Sequence, residues 1–429
     1  MGRIGLLGAL VVLLVPFGGA ASRPLPLTAL PPATVPLTGL VYESGGAYRL
    51  VQVDPATLGV ARTSAPLAQG YGWARSPDGG MLVLGTGVKG SYETTALQFA
   101  DPATLELVGK PVTFSGVVRA ALWPAPRNVF AVVESLGNSR LVSVDTLTRN
   151  VVAGRALGGQ VLSYARFDRG LVLLLGVDGK LAPARLVVVY PDGSVRSVRL
   201  GRIRAGALWN WNAGDGIGQV REPGVAVDDA GRVAYVVDPG WLVAAVDLGT
   251  LRVSYHRPLR TIVSRIASWL TPVAEAKGLN GPVRTARWLG DGLVAVSGSN
   301  QTAVRKKGGT VYSGNPAGVS VLDTRAWSVR TIDPEGNSAT IGDGILLTTG
   351  GRWSSTGSSS RGVAAYGPDG ALRWVLGERS NNWIAGVYGS LVVLGKQGNL
   401  YDVLDSQTGN VLRSDVATPF PTLLLGQGS

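Results

Sequence analysis

The pentapeptide Asp54-Pro55-Ala56-Thr57-Leu58 returns unchanged as Asp101-Pro102-Ala103-Thr104-Leu105, and no other feature of the chain limits its fold as tightly. Looser copies follow as Val144-Asp145-Thr146-Leu147-Thr148, Tyr190-Pro191-Asp192-Gly193-Ser194 and Val246-Asp247-Leu248-Gly249-Thr250. Three more are Leu322-Asp323-Thr324-Arg325-Ala326, Gly367-Pro368-Asp369-Gly370-Ala371 and Leu404-Asp405-Ser406-Gln407-Thr408-Gly409. Each carries the chemistry of a reverse turn. Asp accepts a hydrogen bond from the backbone two residues on, Pro pre-sets φ, and Gly tolerates positive φ. The marker aspartates recur about every 50 residues.

Within one period the sequence reads as four strands. In the second, Tyr71–Arg75 precedes the turn Ser76-Pro77-Asp78-Gly79, then come Met81-Leu82-Val83-Leu84, Thr94–Ala100 and Thr104–Val108. The second strand of most periods is a continuous apolar run, as in Val129–Val133, Leu171–Leu175, Leu293–Val296 and Leu391–Leu394. A sheet with one wet face alternates, whereas a continuous run needs burial on both faces. Parallel α/β sheets meet that need with helices, but helical periodicity is nearly absent here. Four-stranded sheets stacked around an axis meet it too, and their repeat is about 40–50 residues. The expected fold is therefore all-β: a β-propeller of eight four-stranded blades, or seven if a weak period merges with its neighbour. The first period supplies only three strands. The apolar segment Phe420–Leu425 is expected to complete it, closing the ring without an open sheet edge.

Composition removes several function classes. The chain has 429 residues, no Cys and a single His, with 45% apolar and 16% charged residues. Disulfides, thiolate metal sites, cysteine nucleophiles and two-His metal centres are excluded. Residues 1–22 read as a signal peptide: Arg3, an apolar run from Ile4 to Phe17, then Gly18-Gly19-Ala20-Ala21. That run is short for a membrane span, so membrane contact is expected only if the segment stays uncleaved. Residues 23–38 form a Pro-rich leader, extended and poorly ordered, and 39–429 form one propeller domain. Export places the protein outside the cell or in its envelope. The net charge of +12 rests mostly on arginine. The cations read as scattered, with Arg305-Lys306-Lys307 as the dense run, so no nucleic-acid partner is expected.

Two short segments resemble known propeller repeats. Ala234-Tyr235-Val236-Val237-Asp238 is similar to the Tyr-Val-Thr-Asn signature of secreted bacterial propellers. Leu404-Asp405-Ser406-Gln407-Thr408-Gly409-Asn410-Val411-Leu412 resembles the end of PQQ-like repeats, and the architecture belongs with WD40-like propellers in the broad sense. The likeness spans roughly residues 39–426 and implies a propeller fold. Arg413 stands where the quinoprotein repeats place a docking Trp, and the vicinal cysteines of quinoprotein alcohol dehydrogenases are missing, so PQQ binding is disfavoured. No cofactor is expected, although glutamates from different blades could meet around a calcium ion.

In a four-strand meander, the second-to-third loops and the blade-to-blade connections share one face, and the short Asp turns share the other. All the long insertions fall on the first face: 201–223, 257–282, 298–316 and 350–362. Functional loops concentrate where a rigid scaffold presents them. The 257–282 insertion carries a helical pattern, with Ile262, Ile266, Trp269, Leu270 and Val273 on one stripe and Pro272 ending it. The candidate ligand-binding residues on this face are Trp209, Asn210, Trp211, Asn212, Arg352, Trp353, Asn382 and Trp383, because aromatic faces beside amides and Arg hold sugar rings. For catalysis the candidates are His256, Glu222 and Glu134. The first reading is a monomeric binding scaffold for a glycan, cell-wall polymer or partner protein. The alternative is a lactonase-like hydrolase or lyase, with acids or His256 at the axial mouth.

Overall fold

A computed structural model describes residues 23–27, 37–42, 48–54, 59–68, 70–88, 91–168, 170–210, 217–260, 281–306, 309–354, 357–377, 382–396, 400–416 and 423–424. Among these residues the chain is all strand and turn, and no helix is present. The signal segment, most of the 257–282 insertion and its helical stripe lie outside them.

The strands form successive antiparallel meanders. Gly70–Arg75, Leu82–Val88, Ser91–Ala100 and Leu107–Ser115 make one. Val117–Ala125, Asn128–Ser135, Asn138–Asp145 and Val151–Ala156 make the next. The pattern repeats along the chain, and first strands of consecutive meanders lie against one another where Gly70–Arg75 meets Val117–Ala125 and where Gly224–Val227 meets Gln160–Phe167 and Gly281–Gly290. This arrangement is a β-propeller. Leu423–Leu424 pairs antiparallel with Leu37–Tyr42, so the chain end joins the sheet of Tyr48–Val53 and Val60–Thr63.

Burial explains the continuous apolar runs. In the strand Gly170–Val177, Leu171, Leu173 and Leu175 enter a cluster with Ala120, Phe130 and Val132 of the preceding sheet. Val172 and Leu174 enter another, with Val225, Val236 and Ala244 of the following sheet. Alternate side chains leave opposite faces of a strand, so each apolar residue fills a different core. Leu40 and Leu50 likewise pack on Trp73, Leu82 and Leu84. Their neighbours Val41, Val51 and Val53 pack on Ala385, Val393 and Val403, linking the first sheet to that of Trp383–Tyr388. The outermost strand Val151–Ala156, by contrast, is exposed along its whole length.

The repeated Asp motif is one turn used many times. Asp101 Oδ1 accepts the N–H groups of Ala103 and Thr104, and the Asp101 carbonyl accepts the N–H of Leu105. Leu105 then turns the chain with φ 63°. Asp145 and Asp405 repeat these bonds and Asp247 repeats all but the one two residues ahead, with Arg149, Leu251 and Gly409 at the positive-φ position. That left-handed residue delays the fourth strand. In the second period it begins at Leu107 rather than Thr104.

The leader differs from expectation over its first described residues. Leu25 is buried against Leu289, Leu293 and Leu346, and its N–H donates to the Pro368 carbonyl at 2.5 Å. Arg23 pairs with Asp291 and, at 3.3 Å, with Asp323. Residues 23–27 are thus docked on the face of the tight turns, because one apolar side chain finds a gap between two sheets and one cation finds two carboxylates.

Candidate functional site: the hairpin face

Opposite the tight turns, strands overrun their sheets as hairpins. Val195–Asn210 continues past its partner and returns as Ile217–Arg221. Leu293–Lys306 folds back as Gly309–Pro316, and Leu346–Ser354 folds back as Gly357–Tyr366. The last two hairpins pair edge to edge through Ser313↔Ser354 and Gly314↔Trp353, fusing two meanders into one ten-stranded sheet. Three of the four insertions read from the sequence are therefore β-hairpins on one face. Mutual pairing covers edges that would otherwise invite aggregation.

A buried ion pair anchors this face. The Asp333 side chain is 1% exposed and holds Arg361 at Oδ1, while its Oδ2 accepts the Thr348 hydroxyl at 2.5 Å. The Glu335 N–H donates to Oδ1 at 3.0 Å, and Arg361 Nη2 donates to the Tyr366 hydroxyl at 3.0 Å. Arg361, within the 350–362 insertion, is thereby consumed in holding one meander to the next.

The sequence candidates separate into distinct environments. Trp353 is 42% exposed with its indole laid over Gly314, and Arg352 beside it is exposed. A side chain at Gly314 would collide with that ring. Trp383 is 39% exposed at the start of an inner strand, with its ring against Gly395, and Asn382 precedes it half-buried. The backbones of Trp209 and Asn210 end a hairpin strand, but their side chains, with all of Trp211 and Asn212, lie outside the described residues.

Of the three catalytic candidates, Glu134 is buried and occupied. Its Oε1 accepts Arg119 Nη2 at 2.7 Å, and its Oε2 accepts the Val161 N–H of the next inner strand at 2.7 Å. His256 ends Val253–His256, the strand of its sheet farthest from the inner strand Gly224–Val227. Its ring stacks on Trp327 with an interplanar angle of 3°, and Nε2 lies 3.0 Å from Ser254 Oγ. It therefore sits on the outer rim and not at the axial mouth, because it closes the fourth strand of a meander. Burial lowers its pKa, which favours the neutral form of the stacked ring.

Glu222 differs from both. It stands just before Gly224–Val227, where its N–H donates to the Pro282 carbonyl and its own carbonyl accepts the Arg284 N–H. Burial pushes its carboxyl above the usual glutamate range, and no described cation pairs with it. Arg284 next to it is turned away. Its guanidinium donates to the carbonyls of Val283 and Ser299 and to Asn300 Oδ1, and burial pushes its pKa down to about 10.

Sequence reasoning missed several arginines. Arg166 reaches from the inner strand Gln160–Phe167 to the carbonyls of Trp73 and Ala121 on two other inner strands, with its guanidinium 4.9 Å from the Trp73 ring centre. Arg221 forms a two-pronged pair with Asp238, at 2.9 and 2.6 Å. Asp238 ends the Tyr-Val-Val-Asp segment, so that signature supplies an arginine anchor here. Among the described residues no group of three or more acidic or His side chains could hold a metal ion.

No family model matches this chain, and no curated protein matches it. Solved structures match in shape. The dihydro-heme d1 dehydrogenase NirN, solved with DHE, is 14% identical over 97% of this chain and 78% of that one, with a TM-score of 0.55. The Dos1 propeller is 12% identical over 73% of each chain, with a TM-score of 0.43. Apo AztD from Citrobacter koseri is 11% identical over 90% of this chain and 96% of that one, with a TM-score of 0.49. At these identities the likeness is one of fold.

Proposed function

We propose that this protein is an exported, eight-bladed propeller that works as a binding scaffold and uses its hairpin face to hold a glycan or cell-wall polymer. Pairing of Leu423–Leu424 with the first sheet supports a ring closed by the chain end, and the shared core of Val51 and Val393 supports it independently. The observation that carries the binding reading is the pair of exposed indoles, Trp353 and Trp383, each backed by a glycine and flanked by Arg352 or Asn382 on the face where the hairpins project. An indole held flat by its own backbone offers a preorganised stacking surface for a sugar ring, and the flanking donors meet its hydroxyls. Titration of cell-wall oligosaccharides is expected to shift Trp fluorescence, and Trp353→Ala with Trp383→Ala is expected to weaken binding about tenfold or more, equivalent to about 1.4 kcal/mol. Unchanged affinity in the double variant removes the glycan reading.

A second reading has its own observation. Glu222 is a carboxyl that burial keeps protonated above the usual range, with no described cation to hold it ionised. Such a group is suited to general acid chemistry in a hydrolase or lyase. If the scaffold is an enzyme, a panel of lactones and aryl esters is expected to show turnover that Glu222→Gln abolishes.

A further inference from the structure

At the root of the hairpin Val195–Asn210/Ile217–Arg221 lies an open cleft of about 530 Å³. Its walls carry Lys180, Arg202, Arg204 and Arg221 against one acid, Asp238. The two-pronged pair with Arg221 neutralises Asp238 and fixes that guanidinium, leaving Nη1 for another partner. Arg202 is held over the Tyr255 ring, 5.2 Å from its centre, and Arg204 donates to the Leu181 carbonyl at 2.7 Å. No described carboxylate pairs with Lys180, Arg202 or Arg204. Three positive charges therefore remain uncompensated in a space the size of a small-molecule pocket. Arg196 and Arg199 also stand exposed on the same strand, three residues apart and so on opposite faces of it.

Like charges crowded this way repel, and solvated arginines on an outer strand gain nothing from being gathered and oriented. Held guanidiniums with donors to spare match oxyanions bidentately, because less side-chain freedom is lost on binding. The ligand has to supply charge densely. A glycan whose only acids are carboxylates carries about one charge per ring, and a cleft of this size filled with rings would leave cations unmatched. Phosphate groups in a chain carry their charge on the chain itself, each with non-bridging oxygens that a guanidinium can meet bidentately. We propose that this cleft is an anion site for a phosphate-rich polymer, either condensed phosphate or a chain of phosphate esters. The site is separate from Trp353 and Trp383 and does not rest on the glycan reading.

The test is calorimetric titration of the full chain with inorganic tripolyphosphate and with a glycerol-phosphate oligomer, at two salt concentrations. Binding is expected to both probes, to weaken as salt rises through counterion competition, and to fall at least tenfold in Lys180→Gln/Arg202→Gln. Neither replaced residue is in an ion pair, so the fold should persist, which an unchanged melting temperature checks. Arg155→Gln, on the exposed outer strand of another sheet, is expected to bind as well as the native chain. No binding, or equal loss in Arg155→Gln, overturns the site. Tighter binding of polygalacturonate than of either phosphate probe overturns the ligand class. Retained phosphate binding in Trp353→Ala/Trp383→Ala separates this site from the sugar surface.

Discussion

On the face of the tight turns, Asp101, Asp145, Asp247 and Asp405 each turn an oxygen onto the backbone N–H groups two and three residues ahead, or three ahead alone at Asp247. Their main-chain partners are local, and most sit near solvent. On the hairpin face, acids reach across sheets. Asp333 holds Arg361 and Thr348, Glu134 ties Arg119 to the next inner strand, and Asp238 fixes Arg221. The Glu222 carboxyl has no described cation beside it. One face therefore uses its repeated carboxylates chiefly to shape the chain, with Asp145 also holding Arg127 and Asp291 and Asp323 holding Arg23, and the other uses them to position cations and fasten neighbouring blades. A face built from local bonds tolerates the loss of one. A face built from long-range pairs does not, and it is also where charge remains to meet a ligand.

Asp333→Ala puts the greatest strain on that contrast. It leaves the Arg361 guanidinium without its buried carboxylate, and urea denaturation is expected to show a loss of about 3–5 kcal/mol. A loss no larger than that of a turn aspartate would erase the distinction between the faces.

Glu222→Gln should act in the opposite direction. A carboxyl whose folded pKa is raised binds more protons folded than unfolded, so its contribution falls as pH rises through the glutamate range. The variant is expected to melt higher than the native chain at pH 7 and level with it below pH 4. Equal melting at both pH values would mean that the carboxyl is not held back from ionising.

The smallest effect is expected from Asp145→Asn. Bonds to Thr148 and the pair with Arg127 pull the Asp145 pKa down to about 2. Stability from a depressed carboxylate is present above its unfolded pKa of about 3.9 and is lost as pH falls toward 2. Melting temperatures between pH 4 and pH 2 should therefore drop less steeply in the variant.

The turn aspartates were legible because their chemistry lies within five consecutive residues, and the apolar second strands because burial on both faces leaves no polar position. Those signals are local, and they carried the fold. The site was less legible. Arg361 and Arg352 stand nine residues apart in the same insertion, yet one is buried against Asp333 and the other exposed. That difference depends on a carboxylate 28 residues away. The cations read as scattered, yet Arg196, Arg199, Arg202 and Arg204 share the strand Val195–Asn210, with Lys180 lining the same cleft as Arg202 and Arg204. Their spacing in Val195–Arg204 was visible. Their convergence with Arg221 depended on a hairpin whose partner strand lies past a long connection.

The docked leader has a consequence for how the molecule is presented. Arg23 meets Asp291 and Asp323, and Leu25 meets Pro368, all on the face of the tight turns. Any tether carried upstream of Arg23 would leave from that side. The hairpins, the exposed indoles and the arginine cleft would then point away from the point of attachment, toward whatever passes in front of it.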